Sequence, residues 1–113
     1  MKKDTTIDKV IAAFENIPYG KELARSEIVT IVTDIYGDIE VIPSDYCYNR
    51  VNNGIDIEKN IRENKCLFEY VSRNRYRYIG TGKAYTGVLY HTPKGMSECI
   101  VGKITNGVIE WCK

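Results

Sequence analysis

The sequence predicts an α+β fold in which three helices come first and antiparallel strands follow. Two stretches in the first third of the chain carry apolar residues at helical spacing, and the second half contains short alternating runs bounded by turn residues. Asn106-Gly107 lies between two apolar runs and is the strongest local signal, because this pair favours the tight turn of a β-hairpin. With 113 residues, the chain can form one domain with its own core. We therefore predict a single domain over 1–113, with a helical core over 5–80 and a β extension over 84–113.

The first two helices are predicted from apolar stripes. Residues 6–16 repeat apolar side chains at i, i+3, i+4 and i+7 starting from Ile7, and residues 26–36 do the same starting from Ile28. Residues 21–25 between them are predicted to be a connector. Both stripes indicate core packing, and neither carries a candidate site.

Residues 44–53 are predicted to be the third helix. Ser44 is a suitable N-cap, since its hydroxyl can accept a hydrogen bond from a first-turn N–H, and Gly54 can end the helix in a left-handed conformation. Between these ends, only Cys47 and Val51 form an apolar i,i+4 pair. A helix with only one apolar pair buries few side chains in a core, so its polar side chains are free to contact a partner.

The rest of the chain is predicted to be mainly β. Residues 55–64 fit either a loop or a short helical turn. Residues 66–79 predict a hairpin in which Tyr alternates with Arg, so that the two residue types occupy opposite faces. The tail predicts strands over 86–91, 97–105 and 108–112, which together form an antiparallel sheet.

Charge is distributed unevenly along the chain. Residues 1–40 contain five Lys or Arg and eight Asp or Glu, a net charge of −3, whereas residues 41–113 contain eleven and seven, a net charge of +4. Residues 71–86 contain four basic residues and no acidic one. This modest basic patch fits contact with an anionic partner. The chain is less basic than a protein that coats DNA without specificity. It is also not acidic enough to be a mimic of nucleic acid.

The cysteine and histidine pattern argues against a metal site and against catalysis. Cys47, Cys66, Cys99 and Cys112 are widely spaced without a CxxC pair, and His91 is the sole histidine. Zinc sites use ligands in short pairs, so we expect no metal and no cofactor, and we expect reduced, mostly buried thiols. An HNH nuclease site needs more than one histidine, and no feature marks a thiol nucleophile. We therefore expect no enzymatic activity.

The N-terminal sequence Met-Lys-Lys-Asp-Thr-Thr lacks the apolar segment of a signal peptide. No apolar run approaches the length of about 20 residues that a membrane-spanning helix needs. The expected location is the cytoplasm, without membrane association.

Three helices followed by a basic hairpin is the order of a winged helix-turn-helix. In this interpretation, the helix over 44–53 would enter the major groove, and the hairpin over 66–79 would be the wing that contacts phosphates. Asn and Arg side chains on such a helix can make bidentate contacts to adenine and guanine. The candidate nucleic-acid-binding residues are Tyr46, Tyr48, Asn49, Arg50, Asn52, Asn53, Arg73, Arg75, Arg77 and Lys83.

A family resemblance points the same way. The run Pro-Ser-Asp-Tyr-Cys-Tyr-Asn-Arg-Val-Asn-Asn-Gly, followed by Leu-Phe-Glu-Tyr-Val and Tyr-Arg-Tyr-Ile-Gly, resembles winged-helix modules attached to HNH-type and restriction nucleases. The resemblance covers roughly residues 5–80 and leaves the β extension unexplained. It implies binding of duplex DNA without catalysis, because the nuclease part has no counterpart in this sequence.

Two alternatives remain open at this stage. The polar residues of 44–53 also fit a solvated helix surface, and the hairpin arginines also fit charges that protect an edge strand. Tyr and Arg are enriched at protein interfaces, so a small phage or mobile-element protein that inhibits a host nucleic-acid enzyme, as anti-CRISPR-type inhibitors do, is the rival function. In that case the extension over 84–113 would form the partner surface or a homodimer contact.

Overall fold

A computed structural model of the chain describes residues 6–52 and 54–112. The described residues form three α-helices and seven strands, with a short 3-10 helix over Pro43–Tyr46. In chain order the elements are α1 (Thr6–Ala13), β1 (Glu22–Ala24), α2 (Arg25–Tyr36), β2 (Arg50–Val51), α3 (Ile57–Arg62), β3 (Phe68–Ser72), β4 (Arg75–Tyr78), β5 (Gly87–His91), β6 (Cys99–Thr105) and β7 (Val108–Trp111).

The strands form two sheets, each with its own apolar cluster. The first sheet has the order β1-β4-β3 and is antiparallel, and α1 and α2 pack against it around Phe14 and Phe68. The second sheet has the order β2-β5-β6-β7, in which β2 runs parallel to β5 and the other pairs are antiparallel. Its cluster contains Leu89 and Ile104, together with Ile57 from α3.

Several predicted elements are confirmed. The two apolar stripes form α1 and α2, and the predicted hairpin forms β3 and β4 with Tyr76 and Tyr78 buried. Asn106 and Gly107 both have positive φ angles, 49° and 81°, as the predicted tight turn requires. The predicted connector over 21–25 instead contains β1, which pairs with β4. A strand of three residues is too short to show its period in the sequence.

The predicted third helix is wrong. After the 3-10 helix, the backbone runs extended beside β3, with a parallel bridge between Cys47 and Phe68 and a 2.9 Å hydrogen bond from Tyr48 N to Phe68 O. Cys47, Tyr48 and Asn49 are consecutive and all buried. A surface helix cannot bury three consecutive side chains, because successive residues point about 100° apart.

The winged helix-turn-helix with its β extension is therefore also wrong as a fold class. The fold is mostly β, organised by two sheets, and its third α-helix is α3, in the segment that fitted either a loop or a helical turn. Over residues 47–51, hydrogen bonds to neighbouring strands replace the predicted helix, and the capping signals in the sequence do not indicate this outcome.

We expect Gly102→Ala to lower the free energy of unfolding by about 2 kcal/mol, measured by urea denaturation. Gly102 pairs with Trp111, and a Cβ atom at this position would lie 2.6 Å from the Glu110 carbonyl oxygen. Because that oxygen belongs to the backbone, it cannot rotate away. Gly87→Ala is the control, since its Cβ would meet only the Tyr85 side chain, at 3.0 Å. Equal losses in both variants would contradict the prediction.

Candidate functional site

Two of the predicted contact residues belong to the interior. Tyr48 is buried, and its hydroxyl donates to Gly80 O at 2.7 Å and accepts from Lys83 N at 3.1 Å. Its ring stacks on Tyr85 with 5.4 Å between centroids. Tyr46 is half-buried against the first apolar cluster. These side chains join parts of the fold, so neither is placed to contact a partner.

Asn49 connects the two sheets. Its Nδ2 donates to Tyr70 O at 2.9 Å, and Tyr70 N donates to Asn49 Oδ1 at 2.7 Å, so the side-chain amide pairs with β3 as a neighbouring strand would. Its carbonyl oxygen accepts from Tyr90 N of β5 at 2.8 Å. Asn49 is 3% exposed. Both ends of its side-chain amide are therefore bonded within the fold.

The remaining predicted residues outside the hairpin have internal contacts where they are described. Asn52 Nδ2 donates to the Ser44 hydroxyl at 2.9 Å, so Ser44 accepts from a side chain instead of capping a helix. Lys83 Nζ lies 4.8 Å from the ring centroid of Tyr19. Asn53 lies outside the described residues.

Two hairpin arginines are paired with glutamates. Arg75 Nη2 lies 2.9 Å from Glu22 Oε2. Arg77 pairs with Glu69 and lies 3.8 Å from Glu22. These pairs link β1, β3 and β4 across the first sheet. They also neutralise two of the four basic residues that made the predicted patch.

Arg73 lies apart from this network. It is exposed in the turn between β3 and β4 and lines a cleft of about 230 Å³ with Arg25 and Arg50. We call this the arginine cleft. Its lining consists of Arg25, Ser44, Arg50, Tyr70, Arg73, Asn74 and Tyr76. Among the described residues, no Asp or Glu lines it.

The first wall of the arginine cleft is the start of α2. Arg25 is the first residue of this helix, and its N–H donates to Asn74 O at 2.9 Å. Asn74 has φ of 61°, a left-handed conformation that lets the β3–β4 turn reach the helix. Glu27 in the first turn accepts from Ala24 N at 2.7 Å, so the helix end itself is already capped.

The second wall is Arg50 on β2, which is held in place on several sides. Its Nη1 lies 3.1 Å from Glu98 Oε1, its Nη2 donates to Thr92 Oγ1 at 3.2 Å, and its guanidinium lies 4.5 Å from the Tyr70 ring centroid. The Tyr70 hydroxyl donates to the same Glu98 oxygen at 2.6 Å. Burial, followed by the contact with Glu98, raises the pKa of Tyr70 to about 12, so its hydroxyl stays protonated. Arg50 is therefore already oriented before any ligand binds.

Hydroxyl groups complete the lining. Burial raises the pKa of Tyr76, while a hydrogen bond with Ser44 and the charges of Arg50 and Arg25 act in the opposite direction. Guanidinium and hydroxyl groups together offer hydrogen-bond donors from several directions. Such a lining suits an anion with several oxygens, and phosphate is the common one that Arg recognises.

Only part of this site was predicted. Arg50 and Arg73 were candidates, although Arg50 was placed on a helix that does not form. Arg25, Tyr70 and Tyr76 were missed. No signal in the sequence marks Arg25, because it reaches the site only through the pairing of β1 with β4 and the contact of α2 with the hairpin turn.

The rival hypothesis predicts a surface rich in tyrosine, but most of the tyrosines are at least partly buried. Of the nine tyrosines, all of which are described, only Tyr19 and Tyr36 are exposed. The large exposed apolar side chains include Ile100, Val108 and Trp111 on the second sheet. A protein-binding surface, if used, would therefore depend on the second sheet more than on tyrosine.

The cysteines are all free in the described residues, with Cys47 and Cys66 buried and Cys99 and Cys112 exposed. The expectation of mostly buried thiols is therefore right for two of the four. No group of three or more His, Cys, Asp or Glu in residues 6–52 and 54–112 is arranged to hold a metal ion. None of the helices in that part of the chain is long and apolar enough to cross a membrane.

Comparison with known proteins identifies relatives without a described function. Residues 5–111 match a family described as a domain of unknown function, DUF7225. The chain is 48% identical over 69 residues to the uncharacterized protein YnaC of Bacillus subtilis (strain 168), which covers 60% of this chain and 24% of that protein. The chain thus spans about a quarter of the length of this curated relative. No solved structure matches it significantly.

Proposed function

We propose that this chain, which belongs to the DUF7225 family, binds duplex DNA through phosphate contacts at the arginine cleft and does not itself catalyse a reaction. The observation that carries the proposal is the convergence of Arg25, Arg50 and Arg73 on one cleft that no acidic residue lines in the described part of the chain. Three separate segments contribute these arginines. Grouping like charges costs electrostatic energy, which an anionic ligand would offset.

The chemistry of the cleft favours phosphate over other anionic groups. Arg contacts phosphate oxygens through two parallel N–H donors, and these charge-assisted bonds are stronger than neutral ones. Arg73 lies on an exposed turn, so a DNA backbone can approach it without displacing other elements. Phosphate contacts of this kind position a protein on DNA without reading the sequence.

The structure also indicates how strongly the protein should depend on the DNA sequence. Asn49 and Asn52, the residues best suited to reading adenine, use their side-chain amides within the fold. We therefore expect binding with weak sequence preference and a steep dependence on salt, because phosphate contacts release counterions from DNA.

The direct test is fluorescence anisotropy with a random duplex over a range of salt concentrations. We expect Arg73→Gln to weaken binding and to lower the salt slope by about one, since one phosphate contact is lost. Arg75→Gln is the matched control, because it removes the same charge from the same hairpin at a residue already paired with Glu22. It should leave the slope close to that of the unmodified protein.

Two outcomes would count against the proposal. Equal effects of Arg73→Gln and Arg75→Gln would show that general charge, and not the cleft, drives binding. Absence of duplex binding at low salt, combined with salt-insensitive capture of a protein, would favour the rival inhibitor function.

A further inference from the structure

We propose that the arginine cleft prefers a terminal phosphate of nucleic acid, a phosphomonoester, over an internal phosphodiester. This inference rests on the proposed function of the cleft and specifies the ligand group. The preference follows from the charge balance of the cleft, from the number of its arginines and from its size.

The charge balance fits a dianion. Arg50 is paired with Glu98, whereas the ion pairs of the described residues include neither Arg25 nor Arg73. Two positive charges are therefore left without a carboxylate. A phosphomonoester carries about −1.5 to −2 charges at pH 7, while each internal phosphate of DNA carries a single negative charge. A terminal phosphate thus matches the two free charges, and an internal one leaves an excess.

The number of arginines in the cleft fits a group with three free oxygens. Arg25 lies at the start of α2, Arg50 lies on β2, and Arg73 lies in the β3–β4 turn, so the guanidinium groups come from three separate elements. A phosphomonoester has three oxygens that are not part of an ester link, each a strong acceptor. An internal phosphodiester has two such oxygens, so it offers the three arginines fewer charged acceptors.

The size of the cleft also favours the end of a strand. A volume of about 230 Å³ accommodates a phosphate and part of its sugar. An internal phosphate must bring a nucleotide on each side and therefore needs more room than a terminal one. A terminal phosphate has a chain on one side only and can enter with its free oxygens first.

The test compares duplexes of one sequence that differ only in their ends. The set contains a 5′-phosphate duplex, a 3′-phosphate duplex, a duplex with hydroxyl ends, and a closed dumbbell without ends. We expect one phosphate-ended duplex to bind about tenfold more tightly than the hydroxyl-ended one, as a single added charge-assisted contact would produce. The 5′ and 3′ members identify which end carries the preferred phosphate.

Variants of the arginines test whether the cleft causes the preference for phosphate ends. Arg73→Gln and Arg25→Gln should each abolish the difference between phosphate and hydroxyl ends, and Arg75→Gln should preserve it. Arg73 is exposed, so its variant keeps the test available even if Arg25→Gln fails to fold. The preference should also decline between pH 7.5 and pH 5, because the second pKa of a phosphomonoester is about 6.

Each outcome is decisive. Equal affinity for all four DNAs would overturn the end preference and leave the proposed DNA binding intact. Binding of the phosphate-ended duplexes without binding of the dumbbell would support the end preference and contradict contact with internal phosphates. If no DNA in the set binds, both proposals fail. A preference that survives Arg73→Gln would show that the cleft does not hold the terminal phosphate.

Discussion

Replacing Asn49 with alanine is expected to lower the free energy of unfolding by about 3 kcal/mol, measured by urea denaturation. The side-chain amide donates to Tyr70 O and accepts from Tyr70 N, at 2.9 and 2.7 Å. Its removal leaves both backbone groups without a partner where the two sheets meet. An unsatisfied buried polar group costs about 1–3 kcal/mol, so the loss of both partners gives a large effect.

Asn52→Ala is the control for this prediction. Asn52 also donates from its amide, but it contacts the Ser44 and Asp45 side chains at a half-buried position, where water can replace it. Its loss should cost about 1 kcal/mol or less. If Asn49→Ala were equally mild but abolished DNA binding, the structural role would be contradicted and the sequence-based prediction of a contact residue would be favoured.

The second large effect is a loss of stability at alkaline pH. Burial raises the pKa of the Tyr48, Tyr76 and Tyr78 hydroxyls and of the Cys47 and Cys66 thiols, the last to about 12. In the unfolded chain, Cys and Tyr release their protons near pH 8.5 and 10, respectively. The unfolded state therefore binds fewer protons than the folded state above these values, and raising the pH favours unfolding.

The sign and size of the pH effect follow from this proton balance. The stability contributed by these groups is fully present below pH 8 and is lost as the pH rises towards their folded-state pKa values. Each group lowers the free energy of unfolding by about 1.4 kcal/mol per pH unit once it titrates in the unfolded chain alone. The measurement is the urea midpoint between pH 8 and pH 11.5.

Two phenylalanine variants test this explanation. Tyr78→Phe removes the hydroxyl of a buried residue and should make the free energy of unfolding fall less steeply with pH above pH 10. Tyr36→Phe removes a hydroxyl from an exposed residue that does not contribute to the raised pKa of Tyr78, and it should leave this slope unchanged. Identical slopes for both variants would rule out Tyr78 as a contributor. A free energy of unfolding that rises with pH in this range would contradict the assigned direction.

Regular local patterns allowed part of the fold to be predicted. The apolar spacing from Ile7 and from Ile28 determined two helices, since each stripe has one way to face a core. Asn106-Gly107 and Asn74 adopt positive φ angles, which these residue types tolerate better than most. The alternation of Tyr and Arg in the second hairpin strand correctly separated its buried and exposed faces.

The sequence could not predict the candidate site, because its parts meet only in the tertiary structure. Arg25, Arg50 and Arg73 lie on three segments that are separate in the chain, and no periodic pattern connects them. Arg50 is predicted to be a contact residue, but on a helix that does not form. The sequence shows no partners for the polar residues around it, whereas most of those described are bonded within the fold.

The sequence by itself determined the elements that a local pattern encodes: α1, α2, the β3–β4 hairpin and the tight turn before β7. Tertiary structure alone decided the conformation of residues 44–52. Their capping signals favour a helix, but a surface helix would leave Tyr48 and Asn49 exposed. In the extended form Tyr48 is buried and Asn49 bonds to Tyr70, 21 residues away in the chain. Long-range hydrogen bonds and burial outweighed local propensity, since a short helix with one apolar pair gains little from packing.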